Sequence, residues 1–433
     1  MPRIWSTELA AHAGRRVELA GWLHRFRQLS QVSFLVLRDG RGLTQVVLED
    51  PAQIAKLAAL PAETVLRVLG TAELVPAAPG GVEVHEPEFE IVSVPVTLPP
   101  FELFRPTIKA QLPTVLDHAA IALRHPRLRA LHRLAAASAA GYRDTLRSRG
   151  FVEIFTPKLV ATATEGGANV FPVDYFGRAA FLAQSPQFYK QMMVGVYERV
   201  FEVGPVFRAE PHDTPRHLNE YVSLDFEMGF VQDHSTVMAM LVEVLRGMLD
   251  AVRTQAAEAV RLLELELPSG PAEIPIIHFA EAQQLIETET GERIQGEPDL
   301  APTHERWLGE WARQTTGSEF LFVVGYPMTK RPFYTHPQPD QPAYSNSFDL
   351  LFRGLELVTG GQRLHRYQDY LAALEAHSLA PEPFAGYLEA FAGGMPPHGG
   401  CALGLERWVA RLANVANIRE TTLFPRDLHR LVP

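Results

Sequence analysis

Phe207-Arg208-Ala209-Glu210 and Arg216-His217-Leu218-Asn219-Glu220 lie close together in the chain, and Gly400-Cys401-Ala402-Leu403-Gly404-Leu405-Glu406-Arg407 lies far downstream. They offer arginines on separate segments, each beside a glutamate. A guanidinium stays charged at any physiological pH and presents a planar fork of donors to phosphate oxygens, so two converging from distant segments suit a nucleoside triphosphate. The pattern reads as an ATP site built without a P-loop.

Elements able to position such groups follow from length and periodicity. The 433 residues are too many for one ordinary core and predict two domains. An apolar fraction of 46% with 21% charged residues fits a soluble protein, and no apolar run reaches the roughly 18 residues of a membrane helix. The single cysteine, Cys401, excludes intramolecular disulfides and a cysteine-rich zinc site, and with no secretory signal at the N-terminus it predicts a reducing cytoplasm. A net charge of −10 argues against non-specific coating of nucleic acid. Arg25, Arg27, Arg38 and Arg41 still form a local basic region, open to reading as a polyanion dock or as a solvated face.

Residues 1–95 contain five short strand-like runs, with a helical stretch from Pro51 to Leu60 after the third, which predicts a small OB-fold barrel. Prolines thicken through 96–126, predicting a hinge linker. Helix-like and strand-like segments then alternate through 127–433 as an α+β domain, with helices at Leu128 to Ser148 and at about Ser235 to Ala257.

Arg149-Gly150-Phe151-Val152-Glu153-Ile154-Phe155-Thr156-Pro157-Lys158-Leu159 joins a helix to a strand closed by proline, which marks an edge or an interface. With the two arginine segments it resembles the three ordered motifs of class II aminoacyl-tRNA synthetases. Phe181-Leu182-Ala183-Gln184-Ser185-Pro186-Gln187-Phe188-Tyr189-Lys190-Gln191 and Gly360-Gly361-Gln362-Arg363-Leu364-His365-Arg366 narrow the resemblance to aspartyl-tRNA synthetases of the archaeal and eukaryotic type. So do Met395-Pro396-Pro397-His398-Gly399-Gly400 and Phe424-Pro425-Arg426-Asp427. The large insertion of bacterial relatives does not fit in the available length. The resemblance spans the whole chain.

It implies an N-terminal all-β OB-fold barrel that binds the anticodon and a C-terminal α+β class II domain with a mainly antiparallel sheet flanked by helices. It also implies a homodimer with Pro157 near the interface, ATP and Mg²⁺, and an aspartate–tRNA ligase reaction. By resemblance Arg208 contacts the α-phosphate, Glu210 the adenine end or the tRNA acceptor end, Arg216 and His217 the distal phosphates, and Arg407 the γ-phosphate. Tyr221 stands where relatives often stack a ring on adenine.

Glu356 and Thr359 are the implied Mg²⁺ ligands. In a regular strand these two positions face opposite sides, so an irregularity before Gly360-Gly361 is required; a glutamate on a solvated strand face is the plainer alternative. Lys190 and Arg363 are the implied readers of the aspartate carboxylate, a selectivity that must rest on charge because asparagine has nearly the same shape. Taken alone, Lys190 reads as a helix-surface lysine. Ser185 and Gln187 are expected to line the aspartate pocket, and Glu165 to meet the ammonium group. Ala402 departs from the glycine usual among relatives.

In the barrel, Phe34, Gln45 and Glu83 are the implied anticodon readers, with Phe34 alternatively a core residue. His24 and Pro76 stand where members that charge both tRNA(Asp) and tRNA(Asn) differ from members restricted to tRNA(Asp). They predict a non-discriminating enzyme coupled to an amidotransferase that converts Asp-tRNA(Asn). A discriminating aspartyl enzyme, an asparaginyl enzyme and a non-catalytic RNA-binding paralogue are the alternatives.

Overall fold

The computed structural model describes residues 3–29, 32–161, 169–269 and 273–432. Two compact units divide at Pro126 and Arg127.

In the first unit, strands β1 (Arg16–Gln28), β2 (Ser33–Arg38), β3 (Leu43–Leu48), β4 (Val65–Leu74) and β5 (Val82–Ser93) close into a barrel in the order β1-β2-β3-β5-β4. Helix α1 (Pro51–Ala58) follows β3. Its start is fixed by Pro51 in the first turn and by the Asp50 carboxylate, which accepts from Ala52 N at 3.1 Å and Gln53 N at 3.3 Å. Alternate residues, among them Leu19, Leu35, Leu37, Val46, Leu66, Val68 and Val84, fill the barrel core.

The proline-rich segment is not a loose linker. It carries α2 (Leu112–Asp117) and α3 (Ala119–Ala122), buries Leu103, Ala119 and Ala122, and belongs to the same compact unit as the barrel. Arg124 Nη1 donates to Glu63 Oε2 at 2.9 Å, and the Arg25 guanidinium lies 4.8 Å from the Phe104 ring centroid. Proline runs erase periodicity, and these long-range contacts leave no local sequence mark.

The second unit opens with α4 (Pro126–Ser148), β6 (Val152–Glu153) and a small sheet of β7 (Leu159–Val160), β8 (Pro172–Tyr175) and β9 (Arg178–Leu182). After α5 (Gln187–Tyr197), β10 (Arg199–Phe207) and β11 (Glu220–Gly229) form a hairpin. Helices α6 (His234–Gln255) and α7 (Ala257–Leu262), strand β12 (Ile276–His278) and helices α8 (Phe279–Thr290) and α9 (Pro302–Thr316) come next. Strands β13 (Phe320–Val324), β14 (Ser347–Phe352) and β15 (Leu355–Gln362), helices α10 (Tyr367–Ala376) and α11 (Ala385–Ala392), strand β16 (His398–Gly404) and helix α12 (Leu405–Leu412) complete it.

The large sheet runs β12-β13-β14-β15-β16-β11-β10-β6 and is antiparallel except at its two outermost pairs, β12 with β13 and β6 with β10. The short first-motif strand β6 is an edge, and Phe155 just beyond it is 82% exposed. Helix α6 buries Val237, Leu241, Val244, Leu245, Met248 and Val252 along one stripe. It crosses α4 closely: a Cβ on Gly141 would stand 2.5 Å from Gly247 O. Trp408 of α12 is fully buried and donates from Nε1 to Ser138 Oγ of α4 at 2.9 Å, tying the last helix to the first.

Candidate active site

The β10–β11 hairpin holds the first two arginines. Its connecting loop is pinned at the base by Asn219, whose Nδ2 donates to Arg208 O at 2.7 Å and to Glu210 O at 3.2 Å, while Arg208 N donates to Asn219 O at 2.8 Å. The third arginine, Arg407, sits in the first turn of α12, where β16 delivers it beside β15. Arg208, Glu210, Arg216, His217, Tyr221, Glu356, Thr359, Arg363, Arg407 and Gln187 line one cavity of about 390 Å³.

At one end the ion-pair distances to Glu210, Glu305 and Glu356 are long. Arg208 Nη1 stands 3.8 Å from Glu210, His217 Nε2 3.8 Å from Glu210, Arg216 Nη1 4.0 Å from Glu305 and Arg407 Nη1 3.9 Å from Glu356. Arg208 also lies 5.9 Å from the Tyr221 ring centroid. Burial lowers the His217 pKa, Glu210 raises it, and Arg407, Arg216 and His212 lower it again, so the ring is neutral at physiological pH.

At the other end the charges are buried and closely spaced. Arg363 Nε donates to Glu227 Oε1 at 2.9 Å and its Nη2 to Gly400 O at 2.9 Å. Lys190 Nζ donates to Asp225 Oδ1 at 3.0 Å and to Cys401 O at 3.2 Å, and lies 3.4 Å from Glu227. Burial favours the neutral form of Glu227, but Arg363 and Lys190 more than reverse this and hold its pKa below the ordinary value. Burial likewise opposes the Lys190 charge, yet Asp225 and Glu227 raise its pKa. Lys190, Glu227 and Arg363 are therefore ionised. Gly400 is required here, because a Cβ would stand 2.1 Å from Phe226 O and 2.2 Å from Glu227 Oε2.

Lys190 and Ser185 do not line the cavity; both are buried behind its wall, Lys190 at 1% exposure. Ser185 Oγ accepts from Gln187 N at 3.3 Å. Glu165 lies outside the described residues.

The strand irregularity that Glu356 and Thr359 need is present. Leu350 pairs with Val358 but Leu351 with Glu356, which leaves Leu357 as an extra residue and turns Glu356 to the side of Thr359. Thr359 Oγ1 then donates to Glu356 Oε1 at 3.2 Å. Asp349 faces Thr359 across the ladder and is paired with Arg331 at 3.0 Å. Burial pushes its carboxyl up to about 6; Arg331 pulls it down and Glu356 raises it again.

Among the described residues no cluster of three or more His, Cys, Asp or Glu is placed to hold a metal. Mg²⁺ commonly takes one or two protein oxygens and completes its shell with water and substrate phosphates, so the Glu356 carboxylate and the Thr359 hydroxyl on the cavity wall fit it.

Asp225, Glu227, Asp349 and Glu406 are site residues that sequence reasoning missed. Ser223-Leu224-Asp225-Phe226-Glu227 did carry a signal: charged and apolar residues alternate, which puts both carboxylates on one face of a strand. Glu406 accepts from Val222 N with both oxygens at 3.1 Å, fastening α12 to the strand that carries Tyr221.

On the barrel, Phe34 pairs with Arg27 and Val47, on the face opposite Leu35 and Leu37 and outside the core. Gln45 is cross-strand from Val36 and Glu83 and donates from Nε2 to Glu83 Oε2 at 2.8 Å. His24 sits at a bulge in β1, its Nδ1 3.3 Å from Arg38 Nη1. Pro76 is exposed in the β4–β5 turn. Arg38 leaves the proposed basic face: it is 2% exposed and forms a two-pronged bond with Glu63 at 2.6 Å. Arg25 and Arg27 remain exposed.

The family model for class II tRNA synthetases (D, K and N) matches residues 111–428, and that for the OB-fold nucleic acid binding domain matches residues 17–92. An aspartate–tRNA(Asp/Asn) ligase of Thermus thermophilus is 46% identical over 431 residues, covering 100% of both chains. An aspartate–tRNA(Asp) ligase of Pyrococcus abyssi is 39% identical over 427 residues, 97% of each chain. The solved asparaginyl-tRNA synthetase of Pyrococcus horikoshii with asparaginyl-adenylate has a TM-score of 0.93 at 29% identity, covering 100% of both chains. With a family match over most of its length and relatives of this identity along nearly all of it, the chain belongs to the class II tRNA synthetases of the D, K and N group.

Proposed function

We propose that the chain is an aspartate–tRNA ligase that activates L-aspartate with ATP and charges both tRNA(Asp) and tRNA(Asn). The observation that carries this reading is the convergence of Arg208, Arg407 and Arg363 on one cavity whose amino-acid end is backed by the ionised Glu227 and Lys190.

The α-carboxylate of aspartate attacks the α-phosphorus of ATP and pyrophosphate leaves; the tRNA 3′ hydroxyl then attacks the aspartyl carbonyl and AMP leaves. A carboxylate is already ionised at neutral pH, so the first step needs no base and rests on positioning and charge neutralisation. Arg208 takes the α-phosphate, Arg216, His217 and Arg407 the distal phosphates, and Tyr221 the adenine ring. Glu210 holds either the adenine end or the tRNA acceptor end. Glu356 and Thr359 would hold Mg²⁺, which when bound neutralises phosphate charge.

The side-chain carboxylate of aspartate meets Arg363, whose Nε and Nη2 are held from behind and whose Nη1 is left for a ligand. Gln187 and Ser185 shape this end, and Glu165 takes the ammonium group. Lys190 completes the positive charge from behind the wall. An asparagine amide would need an acceptor instead, but the Glu227 oxygens are already engaged by Arg363 and Lys190. That mismatch disfavours asparagine.

Phe34 stacks an anticodon base, while Gln45 and Glu83 read base edges. His24 and Pro76, with the name of the Thermus relative, support use of both tRNAs; the name of the Pyrococcus relative supports restriction to tRNA(Asp). The exposed Phe155 beside edge strand β6 supports a homodimer built on the first motif. A cytoplasmic enzyme making Asp-tRNA(Asn) works with an amidotransferase that converts it. Charging each tRNA with aspartate and with asparagine tests the reading: aspartate is expected on both. Charging of tRNA(Asn) below about one hundredth of the tRNA(Asp) rate, more than about 2.7 kcal/mol of discrimination, overturns dual use.

A further inference from the structure

A second cavity of about 580 Å³ adjoins the first and shares Arg216, His217 and Arg407 with it. Its other walls bring Arg306 from α9 and Arg411 from α12. Among the residues that line it, four arginines face a single carboxylate, Glu305. That carboxylate is committed to the sheet, since Glu305 Oε2 accepts from Glu356 N at 2.9 Å, and it reaches Arg216 only at 4.0 Å. Burial lowers the Arg411 pKa; Glu305 raises it, and Arg306 and Arg353 lower it further. The partly buried Arg216, Arg407 and Arg411 and the exposed Arg306, gathered over one concave surface, leave it with an excess of positive charge suited to an anion.

We propose that this second cavity receives the pyrophosphate leaving group, which Arg216 and Arg407 hand from the reacting position to Arg306 and Arg411. The inference rests on the ATP-site reading above. Moving the product away from the α-phosphorus slows its re-attack on the adenylate. Guanidinium groups suit the task because they bind phosphate oxygens in two-pronged fashion.

Binding in this seat is ground-state binding away from the reacting geometry, which makes it separable from binding of ATP. Losing such a seat raises the KM for pyrophosphate and the saturated reverse rate by the same factor, and leaves their ratio unchanged. The test uses the full-length protein carrying aspartyl-adenylate, with magnesium pyrophosphate as the varied reactant. Arg306→Gln alters an exposed side chain, and Arg411→Gln repeats the measurement from the other wall.

In both variants the KM for pyrophosphate and the saturated rate of ATP formation are expected to rise together by about tenfold, the loss of one arginine–phosphate contact. The kcat/KM for ATP in the forward direction stays unchanged. A joint fall in kcat/KM for pyrophosphate and for ATP overturns the proposal, because it puts these arginines on the reacting phosphates. An unchanged KM for pyrophosphate in both variants also overturns it while leaving the ATP-site reading intact. Absence of aspartate-dependent exchange in the unaltered protein removes that reading and this inference with it.

Discussion

The two ends of the main cavity use the same residue types in opposite ways. At the amino-acid end, Lys190, Asp225, Glu227 and Arg363 have side chains no more than 8% exposed and ion-pair distances of 2.9 to 3.4 Å. At the phosphate end, Arg216 and Arg407 are 36% and 31% exposed and stand 4.0 Å from Glu305 and 3.9 Å from Glu356. Buried charges must be compensated within the fold, whereas half-exposed ones can wait for a ligand with water as their partner. On the proposed reading the amino-acid end is built before substrate arrives, as selectivity between near-isosteres demands, while Arg216 and Arg407 at the phosphate end meet a highly charged ligand.

The contrast breaks most visibly at its buried end. Arg363→Gln leaves Glu227 buried with only Lys190 opposite and is expected to cost about 3–5 kcal/mol of stability in urea unfolding. Aspartate-dependent pyrophosphate exchange should fall by at least about a thousandfold. A variant of near-normal stability would contradict the pre-built arrangement.

Arg407→Gln sharpens the other side. Unfolding free energy is expected to change by less than about 0.5 kcal/mol, while kcat/KM for ATP falls about a hundredfold. Equal losses of stability and activity would erase the distinction between the two ends.

Glu406 belongs to both regions: it is buried like the first and lies on the phosphate wall of the second. Burial pushes its carboxyl up to about 7, its bond from Val222 N lowers it, and Glu220 adds to the rise. An acid whose pKa is raised on folding binds its proton more tightly in the folded state. Its contribution to stability is full below the unfolded value and is lost as pH rises through about 7. Glu406→Gln lacks this titration. Relative to the unaltered protein, its unfolding free energy should climb by about 1–3 kcal/mol between about pH 5 and pH 8. A pH-independent difference would mean that the Val222 bond, not burial, sets the state of this carboxyl.

Much of this arrangement was legible in residue types and spacing. Alternating apolar positions with a capped helix after β3 gave the barrel, and Leu128 to Ser148 gave α4 almost to its ends. The need for an irregular strand between Glu356 and Thr359 followed from the two-residue repeat of a β-strand, and the extra Leu357 meets it. The proline-rich segment after the barrel was harder to read. Its burial depends on contacts such as Arg124 with Glu63, 61 residues apart in sequence. Arg38 looked like part of a basic face until Glu63 was brought to it across the fold.

The amino-acid sequence by itself determined which charged groups exist, the elements that carry them and the order of the motifs, because these depend on local periodicity and residue chemistry. Only the tertiary structure decided that Lys190 stands behind the wall while Arg363 lines the cavity, and that Arg306 and Arg411 meet Arg407 in a second one. Burial, and with it the state and availability of a charge, is set by segments hundreds of residues apart packing together, which no local pattern encodes.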